Sequence, residues 1–101
     1  MSVSSALDDG TNTLTITIAG RFDFSAHKEF RDAYEGIQED PSHYLIDMAE
    51  AEYIDSSALG MLLLLRDHAG GDSAQVEIRN CTPDVKKIFA ISNFDQLFAI
   101  H

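Results

Sequence analysis

Hydrophobic and polar positions alternate strictly from Thr13 to Ile18, TLTITI, which sets Leu14, Ile16 and Ile18 on one face and three threonines on the other. A period of two with β-branched residues is the pattern of a half-buried strand. Just upstream, DDGTN reads as a polar turn, and Val3 to Leu7 can form the other arm of a hairpin. Beyond Gly20, read as a turn, the period lengthens. Phe30, Ala33, Tyr34 and Ile37 recur at helical spacing with charged residues between them, so a helix is expected from about Ser25 to Ile37. The EDPS stretch ends it, and the apolar run Tyr44 to Met48 suits a strand buried inside a sheet.

A second helix is expected from Ser56 to about His68, stopped by Gly70 and Gly71. Gln75 to Arg79 alternates again, with Val76 and Ile78 on one face. Thr82, Pro83 and Asp84 then supply a cap, a first-turn proline and a first-turn acid for a third helix carried by Val85, Ile88 and Phe89 and ending near Ser92 and Asn93. Strands that alternate with helices after an opening hairpin define an α/β class: a mixed β-sheet with helices packed against it.

Length and composition sharpen this picture. With 101 residues and 45% hydrophobic content, the chain is expected to form a single domain over residues 1–101 around one core. Seventeen acidic residues against seven basic ones give a formal charge of −10, a field that repels nucleic acid and anionic lipid, so no direct nucleic-acid binding is expected. Cys81 is the single cysteine, which excludes an internal disulfide and suits a reducing compartment. The opening MSVSSALDDG lacks the basic start and apolar stretch of a leader, and Met61 to Leu65 is too short to span a bilayer. A soluble, cytoplasmic protein without membrane insertion is expected.

The chemistry concentrates in Tyr53 to Ala69, YIDSSALGMLLLLRDHA, where Asp55, Ser56 and Ser57 stand at a helix entrance. Two readings of the cluster are open: a plain N-cap, or a phosphate acceptor whose added charge is tolerated by the free N–H groups and the dipole of the helix start. The helix itself is apolar almost all round. Leu59, Leu62, Leu63 and Ala69 can fill the core, leaving Met61 and Leu64 as an outward docking patch beside Ser56, or the helix is buried on two sides.

Enzymatic readings find little support. A serine hydrolase would need Ser56 or Ser57 activated by one of His27, His43, His68 or His101, yet no nucleophile elbow is present and His68 lies three turns from Ser56. The histidines are not closely paired and Cys81 has no zinc-site partner, so no metal or other cofactor is expected. Gly70-Gly71 is a helix stop and not a phosphate loop.

YIDSSALGMLLLLRDHA resembles the signature of the STAS family, the anti-sigma-factor antagonists: Asp-Ser-Ser or Asp-Ser-Thr, Gly-Leu-Gly, then an apolar helix. Ile18-Ala-Gly-Arg-Phe-Asp23 is similar to the family's strand leading to a Gly-x-x-Asp turn, and Asn80 to Phe89 to its passage into the last helix. RFDFSAHKEFRDAY and LLLLRDHAGG look most like the SypA- and HsbA-type regulators of biofilm and motility. The resemblance implies the STAS fold with Ser56 as phosphoacceptor, Asp55 as the acid beside it, Ser57 as the second hydroxyl and Asp23 as an upstream acid at the same surface. Ala58 departs from the glycine of many members. The partner surface is then expected to comprise Asp23, Asp55, Ser57, Ala58, Met61 and Leu64.

What the resemblance implies for mechanism is partner switching. A serine kinase and anti-sigma factor of the histidine-kinase-like ATPase type phosphorylates Ser56, a PP2C-type phosphatase reverses it, and ATP and metals belong to those partners. STAS-like domains also resemble the small accessory subunit of lipid-transport ABC complexes, an alternative that needs no phosphorylation.

Overall fold

The computed structural model describes residues 2–37 and 41–101, which build one five-stranded sheet in the order β1-β2-β3-β4-β5. The strands are β1 (Ser2–Asp8), β2 (Thr13–Phe22), β3 (His43–Ile54), β4 (Val76–Arg79) and β5 (Ala99–Ile100). The helices are α1 (His27–Glu35), α2 (Ser56–His68) and α3 (Pro83–Ile91). The opening hairpin is antiparallel, with Leu7 opposite Leu14 and Val3 opposite Ile18. Its turn closes because the Asp8 carboxylate accepts the Gly10 N–H at 2.9 Å and Asn12 takes a left-handed conformation that asparagine tolerates. Every later pairing is parallel, and each of those crossovers carries a helix.

One face of the sheet is buried. Leu14, Ile16 and Ile18 meet Tyr44, Ile46, Met48, Val76 and Ile78 there, and the helices lay Phe30, Leu62, Leu65, Val85 and Phe89 over them. Phe22 and Phe30 pack with ring centroids 5.1 Å apart, and Tyr34 meets Phe30 edge-on at 5.6 Å. The opposite face carries the threonines of β2 with Glu77 and Arg79 of β4, half-buried to exposed. The alternation in TLTITI therefore decides which side the helices cover.

α2 spans the expected residues, and its stop uses Gly70 and Gly71 at φ of 121° and 62°, a region closed to most side chains. Thr82 caps α3 by accepting the Val85 N–H at 3.3 Å. Several boundaries differ from expectation. Gly20 does not end β2: at φ 81° it sits beside a break in register, and the strand continues to Phe22. That continuation gives the mixed AEAEYI segment a parallel partner, so β3 runs on to Ile54. The first helix opens as a 3₁₀ turn, Phe24–Ala26, and α1 closes at Glu35, where the Gly36 N–H bonds the Asp32 carbonyl. Glu39 and Asp40 of the expected break lie outside the described residues.

Candidate functional site

Parallel pairing of Arg21 with Tyr53 and of Phe22 with Ile54 brings two strand ends to the same edge of the sheet, so Asp23 and Asp55 emerge side by side. The chain repeats itself there: Asp23-Phe24-Ser25-Ala26 and Asp55-Ser56-Ser57-Ala58. Both aspartates are extended, at φ/ψ of −135°/−171° and −121°/−176°, and both cap the turn that follows. Asp23 accepts the Ser25 N–H at 3.0 Å and the Ser25 hydroxyl. Asp55 accepts the Ala58 N–H at 3.0 Å and the Ser57 hydroxyl at 2.6 Å. Ala26 and Ala58 close each turn against the core, both fully buried. The residue between aspartate and serine is left outside: Phe24, 67% exposed, in the first turn and Ser56 in the second.

The two serines of the second turn are thereby differentiated. Ser57 is half-buried and its hydroxyl is committed to Asp55, whereas Ser56, first residue of α2, is exposed and its hydroxyl has no hydrogen bond among the described residues. The Ser57 hydroxyl, then the Ala58 N–H, hold the Asp55 carboxyl below the ordinary aspartate value, with a further contribution from the charge of Arg21. Asp23 is lowered in the same sense, chiefly by the Ser25 hydroxyl and N–H, and the neighbouring Asp55 charge opposes this. Arg21 places Nε 3.7 Å from Asp23 and its guanidinium 4.7 Å from the centre of the Tyr53 ring.

Of the expected partner residues, Asp23, Asp55 and Ser57 gather at this edge with Ser56, and Leu64 is 54% exposed on the outward side of α2. Two do not belong to the surface. Ala58 is fully buried and Met61 is 4% exposed, so neither is open to a partner. Leu63, assigned to the core from sequence, is instead 40% exposed. The reason is helical phase: Ala58, Met61, Leu62 and Leu65 fall on one stripe, while Ser56, Gly60, Leu63 and Leu64 follow the other side. Sequence reasoning missed Arg21, Phe24 and Tyr53, although the repeated Asp-x-Ser-Ala after an apolar strand end was a readable signal.

No histidine joins the serines. His27 stacks on Phe24, His68 lies against Tyr34, His101 contacts Glu77, and His43 stands at the opposite end of β3. Among the described residues no group of three His, Cys, Asp or Glu side chains converges as a metal site would require, and no helix is long and apolar enough to cross a membrane.

Residues 5–99 match the family described as Mlab, STAS domain, so the chain belongs to the STAS domain family. It is 64% identical over 87 residues to a STAS-domain containing protein of Pseudomonas aeruginosa (strain UCBPP-PA14), covering 86% of each chain. Its fold is similar to that of a putative anti-sigma factor antagonist from Thermotoga maritima, with a TM-score of 0.82 at 12% identity over 97% of this chain and 84% of that one. It is also similar to the Bacillus cell fate determinant SpoIIAA in its phosphorylated form, with a TM-score of 0.74 at 17% identity over 99% and 91% of the two chains. The likeness to these solved structures is one of fold.

Proposed function

We propose that this chain is a phosphorylation-controlled anti-sigma-factor antagonist, a non-enzymatic partner-switching regulator. Unphosphorylated, it binds a kinase or anti-sigma factor of the histidine-kinase-like ATPase type; phosphorylated on Ser56, it releases that partner, and a PP2C-type phosphatase resets it. The observation that carries this reading is the exposed, uncommitted hydroxyl of Ser56 at the start of α2, next to a serine whose hydroxyl is already taken. Phosphate at that point adds roughly −1.5 to −2 charges where the helix dipole tolerates them, and burying a dianion against a partner is costly. The scaffold need not rearrange for recognition to change.

Membership of the STAS family and the fold shared with anti-sigma factor antagonists support the same reading. The partner surface we assign comprises Asp23, Asp55, Ser56 and Ser57 with the outward leucines Leu63 and Leu64 of α2. The test is affinity for the partner recovered by pull-down from the source cell. Ser56→Ala stays folded and binds, Ser56→Asp binds weakly, and authentic phosphoprotein is released. Equal affinity for unmodified protein, Ser56→Asp and phosphoprotein counts decisively against the switch. The exposed leucines would also suit a constitutive subunit of a lipid-transport ABC complex, and stable co-purification with a transporter ATPase regardless of phosphorylation would favour that second reading.

A further inference from the structure

Positive charge is scarce on this chain, which sets seven lysines and arginines against seventeen acidic residues, and Asp23 and Asp55 stand together at one end of the sheet. Arg21 is a cation whose charge reaches both carboxylates. It is held loosely. Its Nε is 3.7 Å from Asp23, beyond hydrogen-bond distance, and its side chain is 68% exposed while resting on the Tyr53 ring. Tyr53, the register partner of Arg21, lies three residues before Ser56. A guanidinium pairs more strongly with a phosphate dianion, through two parallel N–H donors, than with a carboxylate it barely touches.

We infer that Arg21 is the internal receptor for the phosphate carried by Ser56, its guanidinium leaving Asp23 for the phosphate oxygens once Ser56 is modified. The inference rests on Ser56 being the modified residue. It adds a consequence the bare switch lacks: phosphorylation also withdraws from the surface the arginine that an approaching partner meets beside Phe24 and Tyr53. Arg21 is then a positioning residue for the phosphate, with Tyr53 as its platform in the unmodified state. The charged or titratable side chains at these two strand ends are Asp55 on the turn of Ser56, Asp23 and Arg21 from β2 and Tyr53 from β3, and His27 stacks on Phe24 of the first turn.

The experiment is a ³¹P NMR pH titration of the full chain with phosphoserine incorporated at position 56 during synthesis, so that no kinase is needed. A guanidinium paired with the phosphate puts the charge centres about 4 Å apart, which at the dielectric of water lowers the second phosphate pKa by about 0.7 unit. The unsubstituted protein is therefore expected to titrate lower than R21Q by about that amount at low salt, with the gap shrinking at about 0.5 M salt. Because Arg21 is exposed, R21Q is expected to keep the fold. H27Q keeps the full gap if Arg21 is responsible. Superimposable titrations of the unsubstituted protein and R21Q overturn the inference, as does a shift that disappears in H27Q and persists in R21Q. Failure of the underlying reading looks different: phosphopeptide mapping of cellular protein would place phosphate elsewhere, whatever the titration gives.

Discussion

Gly60 occupies the middle of α2 on the outward side, one turn beyond Ser56, and a Cβ added there meets nothing within 4 Å. Glycine inside a helix costs about 1 kcal/mol relative to alanine, because the unfolded chain is freer and the helix backbone less shielded. With no steric charge against the methyl, G60A should stabilise the protein by about 0.5–1 kcal/mol. For a domain of this size that corresponds to a rise in melting temperature of about 2–8 °C. Thermal and urea denaturation followed by circular dichroism measure it directly, and the urea midpoint should move without a change in slope. A melting temperature that stays put or falls would refute the reasoning, since it would mean that the helix is strained or crowded at that position. If the partner lies against the bare stripe between Ser56 and Leu64, the same substitution should weaken binding while it strengthens the fold.

Other outcomes follow from the same geometry. Met61→Ala should cost about 2–5 kcal/mol of stability, as removal of a core side chain does, whereas Leu64→Ala should stay within about 0.5 kcal/mol and act on partner affinity; a reversed pattern in denaturation would contradict the phase assigned to α2. Asp55 has a lowered folded-state pKa, so its ionised form favours the native state. That contribution is complete above the ordinary value of 3.8 and is lost as pH falls through the folded value. Ser57→Ala removes the largest cause, so ¹³C carboxyl titration should find the Asp55 pKa raised toward 3.8 and the acid-dependent loss of stability correspondingly smaller; an unchanged titration would show that the hydroxyl does not hold the carboxylate.

Much of this molecule is legible in the chain because its patterns are local. The alternation in TLTITI, the cap at Thr82 and the glycine stop after His68 each answer to short-range sterics and hydrogen bonding, and those elements fall where the pattern puts them. What escaped depends on pairing between distant segments. AEAEYI alternates only small alanines with glutamates, its burial does not follow that period, and it is strand where β2 continues past Gly20 to lie beside it. Ala99–Ile100 is two residues long and is defined by its pairing with Glu77 and Ile78. At the site, Asp55 and the exposed serine beside it were readable from the helix start. The face of α2 was not, since a run of leucines offers little contrast, although the spacing of Ser56, Gly60 and Asp67 marked its outer side. Arg21 and Tyr53 become neighbours only through the parallel register.

The twinned turns at the sheet edge would, under the proposed switch, give this protein a binary surface. Two matching moulds each leave one position outside, and the chain fills one with an aromatic ring and the other with an alcohol. Had both held an alcohol, two adjacent modifications would have given four charge states, with intermediate species for a binder to tolerate. On the proposed reading of Ser56 as the modified residue, phenylalanine in the upstream mould confines the outward-facing alcohol to one of the two turns and sets an exposed aromatic ring next to it, so a binder can keep its footing on the ring while testing the other position for charge.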